Sequence, residues 1–151
     1  MNESAHPRKY HLREYVPADA DPVIRLWEAC GLTRPWNDPR ADLARAHAWQ
    51  PDLLLVAVTL DGSIVGSVMA GYDGHRGWLY YLASDPARRG RGIGRALVAE
   101  AERRLAAAGC PKVQLMVRSD NAAVQGFYDS LGYERSDVAV QGKRFPPVSG
   151  S

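Results

Sequence analysis

Between Trp78 and Val117 the hydrophobic period of the chain changes twice, and this constrains the fold more than any other feature. Residues 78–84, Trp-Leu-Tyr-Tyr-Leu-Ala-Ser, read as a strand. Residues 92–108 are rich in alanine, arginine and glutamate, with Ile93, Leu97, Val98, Ala101 and Leu105 forming the apolar stripe of a helix. Gly109 ends that helix in the C′ position, and residues 113–117, Val-Gln-Leu-Met-Val, read as the next strand. A strand–helix–strand step of this length is expected to be parallel and right-handed. The sheet must therefore be partly parallel, with a helix covering one face.

The segments before it add antiparallel strands. Residues 53–60 are aliphatic and β-branched, Asp61-Gly62 is a hairpin turn signal, and residues 63–72 form the returning strand. A second turn, Asp73-Gly74-His75-Arg76-Gly77, leads into residues 78–84. Upstream, a strand is expected over residues 10–15. Asp19 or Asp21 then caps a helix that carries Val23, Leu26 and Trp27 and stops at Gly31. Asp38-Pro39 opens another helix, with proline at its favoured first position, running to about Trp49. After residue 117 a helix is expected over residues 121–131, closed by Gly132, with late strands over 133–135 and 138–141. The sum is an α+β chain with an α/β three-layer arrangement, a mixed and mostly antiparallel sheet and about four helices.

With 151 residues, one domain over residues 10–144 is expected, between a flexible leader (1–9) and a flexible tail (145–151). The formal net charge of +2 gives no global field that calls for nucleic acid or an anionic membrane surface. No apolar run approaches the roughly 18 residues of a membrane span, and the polar start lacks the apolar stretch of a secretory signal, so the expected location is cytoplasmic. Cys30 and Cys110 belong to no Cys-x-x-Cys or Cys/His cluster, so no metal is expected and both read as small, partly buried side chains.

The most informative segment is Asp85-Pro86-Ala87-Arg88-Arg89-Gly90-Arg91-Gly92-Ile93-Gly94-Arg95-Ala96. It joins a strand to a strong helix former. Glycines there let the backbone adopt positive φ and approach a ligand closely. The first amides of a helix lack internal partners and sit at the positive end of its dipole, which together make a cradle for a pyrophosphate. Arg88, Arg89, Arg91 and Arg95 add charge at that end, placed badly for the helix and well for an anion. A dinucleotide fingerprint is excluded, because Arg95 and Leu97 stand where its third glycine would be, and a P-loop needs a lysine that is absent. A nucleic-acid surface is disfavoured, since no aromatic residues interleave the arginines and Glu100 and Glu102 dilute the charge.

Arg89-x-x-Gly92-x-Gly94, preceded by Leu82-Ala83-Ser84-Asp85-Pro86, resembles the Gln/Arg-x-x-Gly-x-Gly/Ala signature of the GNAT acetyltransferases. About thirty residues on, Asn121 through Tyr128 to Gly132-Tyr133 resembles the second element of that family. The resemblance covers roughly residues 10–144. The runs Arg34-Pro35-Trp36-Asn37-Asp38-Pro39 and Gly71-Tyr72-Asp73-Gly74-His75-Arg76-Gly77 make the chain most similar to the bacterial YpeA-type group.

The resemblance implies the acyl-CoA N-acyltransferase fold with a splayed central strand pair. It implies acetyl-CoA as cosubstrate, an amine as acceptor, and direct transfer through a ternary complex. Backbone groups of Leu82, Ala83 and Ser84 would bond the pantetheine arm. Arg89, Gly90, Arg91, Gly92, Ile93 and Gly94 would hold the pyrophosphate, with Arg95 and Ala96 starting the helix beneath it. Asn121 matches the asparagine that contacts the coenzyme, and Tyr128 the tyrosine near the sulfur, where a hydroxyl can act as general acid. The resemblance also allows a homodimer, since end strands of this fold often pair subunits.

Family members that acetylate protein N-termini carry a glutamate where this chain has Met116, so no base is assigned, and Asp73, His75 and Asp120 stay as candidates. Trp78 is expected in the core, and Trp36, between Pro35 and Asn37, in an exposed loop. The alternative function is a non-catalytic acyl-CoA-binding module on the same fold, which the presence of Tyr128 disfavours.

Overall fold

A computed structural model describes residues 9–147; the outer parts of the expected leader and tail, residues 1–8 and 148–151, lie outside the described residues. Strand β1 is Tyr10–Glu14, β2 Leu54–Thr59, β3 Ile64–Tyr72, β4 Gly77–Ser84 and β5 Val113–Gln114. Helix α1 is Ala20–Ala29, α2 Pro39–Trp49, α3 Ile93–Ala107 and α4 Ala122–Ser130. The chain divides into two compact units, one up to Met116 and one from Val117 onward.

In the first unit the strands form one sheet in the order β1-β2-β3-β4-β5, antiparallel except for the parallel β4–β5 pair. All six residues of β2 are buried, so this strand must be covered on both faces. Its alternate side chains divide accordingly. Leu54, Val56 and Val58 join a cluster with Val23, Leu26 and Trp27 of α1 and Leu43 of α2. On the opposite face, α3 approaches so closely that a Cβ on Gly66 of β3 would lie 2.6 Å from Ile93 and 2.8 Å from Leu97. The three layers and the mixed sheet agree with the sequence reading.

The caps explain where the helices begin. Asp38 accepts hydrogen bonds from the Arg40 and Ala41 amides at 3.1 and 3.2 Å, as the Asp38-Pro39 signal implies. Asp19 occupies the N-cap position of α1, as expected, but neither its side chain nor that of Asp21 caps the helix amides. Asp19 instead accepts from the Val16 amide and from Arg13 at 2.7 Å, and Asp21 pairs with Arg40. Burial alone would push the Asp19 carboxyl up, but the Arg13 hydrogen bond, the Val16 amide and the Arg13 charge outweigh it and hold it below its usual range.

Two expected strand regions are corrected. The strand over 113–117 stops after Gln114, because β5 pairs only with Gly77 and Trp78 at the start of β4. The strands expected over 133–135 and 138–141 do not form among the described residues of the second unit, and Val138 and Val140 are exposed there. Alternation supplies a strand's pattern, but a ladder partner is what makes a strand stable.

Candidate functional site

The first part of the site is the turn that links β4 to α3. Asp85 accepts from the Ala87 amide at 3.0 Å, holding the 3₁₀ turn Pro86–Arg88 that lifts the chain off the sheet. Gly90 and Gly92 then adopt φ of +80° and +75°, conformations costly for a side-chain-bearing residue. A Cβ at either would meet nothing within 4 Å, so the turn faces open space.

Gly92 is the N-cap of α3 and has no side chain to offer. By contrast, Asp38 caps α2 and Asn121 caps α4, the latter accepting from the Val124 amide at 3.2 Å. The first turn of α3, the longest helix among the described residues, thus lacks a capping side chain, as does that of α1. The Ala96 amide donates to the Gly92 carbonyl at 3.0 Å, so Ala96 serves the helix and has no amide left for a ligand. Ile93 is 2% exposed and anchors the turn in the core.

Charge accumulates at the same end. Arg88 pairs with Asp85 at 3.5 Å, while Arg89, Arg91 and Arg95 are exposed and enter none of the ion pairs found among the described residues. Farther along α3, Arg103 and Arg104 are both paired with Glu100. Unpaired cations at the positive end of a helix dipole oppose helix stability, whereas an anion bound there would be favoured by both.

The second part is β4. Ser67 faces Ala83 and Met69 faces Tyr80, so Tyr81 and Leu82 together stand opposite the single residue Val68. This bulge is one residue of β4 too many, and Tyr81 takes it up with φ of +52°, the one non-glycine residue at positive φ among those described. Such a conformation costs about 1–3 kcal/mol and persists only where its surroundings over-determine it. Here they do. The Tyr81 ring stacks on Trp27 at 3.7 Å and 5°, its hydroxyl donates to Asp42 at 2.7 Å, and its carbonyl accepts from the Ser67 hydroxyl at 2.9 Å. Ser67 in turn accepts from the Trp27 indole at 2.8 Å. Beyond Trp78 the other edge of β4 pairs with no strand among the described residues, so the bulge and the open edge coincide. The expected backbone contributors Leu82, Ala83 and Ser84 follow directly; the Ala83 side chain is buried, and the Ser84 carbonyl accepts from the Cys30 thiol at 3.3 Å.

The second unit holds Asn121 and Tyr128. Tyr128 is 7% exposed and packs edge-on against Phe127 and Tyr133. Burial pushes its phenol up to about 12, so it is protonated throughout the physiological range.

Among the base candidates, Asp73 accepts from the His75 and Arg76 amides, and those bonds hold its carboxyl below the usual range, which makes it a poor proton acceptor. Met116 is 52% exposed and Trp36 55%. Trp78 is half-buried and lies beside Tyr80 at 6.5 Å, not in the core as expected. Both cysteines are half-buried, as read from the sequence. Among the described residues no group of His, Cys, Asp and Glu is arranged to hold a metal, and no helix is long and apolar enough to cross a membrane. Sequence reasoning missed the Tyr81 bulge and its lock, and no local signal in the sequence announces them.

Comparison with known proteins agrees with this fold. The profile of the acetyltransferase (GNAT) family matches residues 20–133. An acetyltransferase of Pectobacterium atrosepticum is 54% identical over 133 residues, covering 88% of this chain and 94% of the relative. One from Yersinia enterocolitica is 52% identical over the same shares. Among solved structures, Ard1 from Thermoplasma volcanium superposes with a TM-score of 0.77 at 25% identity, covering 85% of each chain. The NatC complex bound to Gag peptide and CoA gives 0.74 at 20% identity over 86% of this chain and 87% of that one, a likeness of fold.

Proposed function

The chain belongs to the GNAT family of acetyltransferases, and from that premise we propose that it moves the acetyl group of acetyl-CoA directly to a primary amine, of a small molecule or a protein N-terminus. The observation that carries this reading is the uncapped start of α3, with Gly90 and Gly92 at positive φ, open space around them and unpaired arginines beside them. That arrangement fits the pyrophosphate of a coenzyme, held by amides from Arg89 to Gly94. The solved NatC complex carries CoA on the same fold, which supports the choice of donor. The runs at Arg34–Pro39 and Gly71–Gly77 support grouping the chain with the YpeA-type proteins.

The pantetheine arm runs along Leu82, Ala83 and Ser84 as an added strand on the open edge of β4. Peptide groups released by the Tyr81 bulge give the thioester carbonyl a fixed donor, which is worth most where negative charge develops. Asn121 caps α4 through its side-chain oxygen and keeps its amide NH₂ for the coenzyme.

By the family resemblance, the part of Tyr128 is to donate its O–H to the leaving sulfur. An acid near 12 does not surrender its proton outright to a thiolate of ordinary affinity near 8.5, a step uphill by about 5 kcal/mol. Its part is therefore to stabilise the sulfur by hydrogen bonding while the proton lost by the amine reaches it. This narrows the general-acid role expected from the sequence. With Asp73 held ionised and Met116 in place of glutamate, no protein base is assigned, and the acceptor arrives as the free amine.

Titration calorimetry with coenzyme A tests the donor site. Gly92→Ala carries the backbone strain alone, and Gly92→Glu adds a negative charge where phosphates sit. The alanine variant should bind severalfold more weakly, and the glutamate variant at least about a hundredfold more weakly, with circular dichroism unchanged. Equal binding by the glutamate variant and the wild type would refute the site.

A further inference from the structure

The functional reading uses the bulge at Tyr81 but leaves unused the side chains that hold it. A residue of this kind needs restraint to stay at φ of +52°, and the restraints come from two layers. Trp27 is fully buried in α1, and Ser67 is buried in β3; both belong to the rigid interior. Asp42 does not. It sits on α2, outside the sheet, and its two oxygens are committed separately: Oδ2 accepts from the Tyr81 hydroxyl at 2.7 Å and Oδ1 from Arg45 at 2.8 Å. The carboxylate is thereby fixed in orientation, and it touches the bulge only through the tip of the Tyr81 ring.

We propose that Asp42 is a positioning residue for acetyl transfer: through the Tyr81 hydroxyl it sets the angle at which the β4 bulge presents to the thioester the peptide N–H groups that leave the β3 ladder. Tyr81 and Leu82 leave the β3 ladder at the point where β5 has already left β4, so within the sheet the Ser67 hydroxyl on the Tyr81 carbonyl takes the place of the ladder and Asp42 adds the restraint from outside it. The ring stack on Trp27 holds the plane of the ring but leaves it free to slide. The hydroxyl bond to Asp42 stops that sliding, and with it rotation of the backbone behind the ring. Because the core contacts of Trp27 and Ser67 do not involve Asp42, its removal loosens the bulge without dissolving the fold. The proposal rests on the acetyltransferase reading given above and assigns Asp42 no contact with either substrate.

The test uses the full chain and acetyl-CoA labelled with ¹³C at the thioester carbonyl, read by infrared difference spectroscopy, with calorimetry on the same samples. In the wild type a donor at the bulge should lower the carbonyl stretch relative to free acetyl-CoA. Asp42→Ala and Tyr81→Phe should lose most of that lowering while the Kd stays within about threefold, since no phosphate contact is touched. Asp42→Asn keeps an oxygen that accepts from the hydroxyl and should keep the lowered stretch. Should Asp42→Ala fail to fold, Tyr81→Phe decides alone, because it deletes one oxygen and keeps the stack. A lowered stretch shared by wild type, Asp42→Ala and Tyr81→Phe overturns this proposal and leaves the acetyltransferase reading intact. So does a wild-type stretch that is not lowered at all, a loss of the lowering in Asp42→Asn, or a collapse of affinity in Tyr81→Phe. A wild type that binds no acetyl-CoA overturns both readings.

Discussion

Replacing Gly66 by alanine tests whether packing of the sheet against α3 positions the phosphate turn. A Cβ built on Gly66 lies 2.6 Å from Ile93 Cγ2, 2.8 Å from Leu97 Cδ1 and 3.2 Å from Ala57 Cβ. The three neighbours differ in how they can yield. Leu97 Cδ1 is the end of a flexible side chain, although a fully buried one. Ala57 moves only with the backbone of β2. Ile93 Cγ2 is fixed to a β-branched carbon, so it moves only if the rotamer changes or the first turn of α3 lifts. Overpacking of this kind costs about 1–3 kcal/mol, and the lower entropy of an unfolded alanine returns about 0.4–1 of it. A net loss of about 1–2 kcal/mol is expected, a fall in Tm of about 2–8 °C for a chain of this size.

Since Ile93 directly follows the Gly92 cap, the lift displaces the same amides proposed to hold the pyrophosphate, and coenzyme A should bind about three- to tenfold more weakly, or about 1 kcal/mol. Thermal melts by circular dichroism and calorimetry read the two effects. Ile93→Leu removes the γ2 methyl, so the double variant Gly66→Ala/Ile93→Leu should recover part of both losses, a coupling that a mutant cycle isolates. An alanine variant that melts at or above the wild type, with unchanged coenzyme affinity, would show that the layer contact has slack and that the turn is positioned by something else.

Tyr128→Phe keeps the ring and removes the proposed donor to sulfur; kcat should fall about 10²-fold with the KM for acetyl-CoA little changed, measured as free thiol released, and wild-type turnover would remove Tyr128 from the mechanism. Glu100, held by Arg103 and Arg104 at about 2 against an ordinary value of 4.5, favours the folded state when ionised. Its contribution should be complete above about pH 4.5 and disappear as the pH falls towards 2, and for so solvent-screened a group it should stay below about 1 kcal/mol. The stability difference between wild type and Glu100→Gln, followed by denaturant titration at pH 7, 4 and 2.5, should shrink in that order.

What was legible in the sequence was local. The glycines at 90 and 92, the helix former behind them and the Asp38-Pro39 start of α2 each act through their own few residues, so pattern and structure coincide. Asn121, which the resemblance assigns to the coenzyme, also caps α4, two uses that one amide side chain can meet at once. The misreadings are where a partner decides. The sequence 113–117 has the composition of a strand, yet only Val113 and Gln114 find β4 beside them. Val138 and Val140 alternate as a strand should and stay unpaired among the described residues. Trp78 reads as a core residue, but its neighbour on the sheet surface is Tyr80.

The bulge was illegible for a stronger reason. Nothing about Tyr80-Tyr81-Leu82 distinguishes it from an ordinary strand, since tyrosine favours strands and is rare at positive φ. The conformation is imposed from a distance: Asp42 lies 39 residues away in sequence, and the Trp27–Ser67 bond that backs the ring spans 40. Propensity favours the regular ladder at this point, and tertiary contacts override it at a cost of about 1–3 kcal/mol. Such overrides are expected where a sheet must expose its own backbone to a ligand, because regular pairing would consume the groups the ligand needs. The phosphate turn meets the same need more cheaply. Glycine makes positive φ nearly free, so Gly90 and Gly92 write the turn into the sequence, while β4, which must also bury side chains against α1, pays in strain and depends on Asp42, Trp27 and Ser67 to hold it.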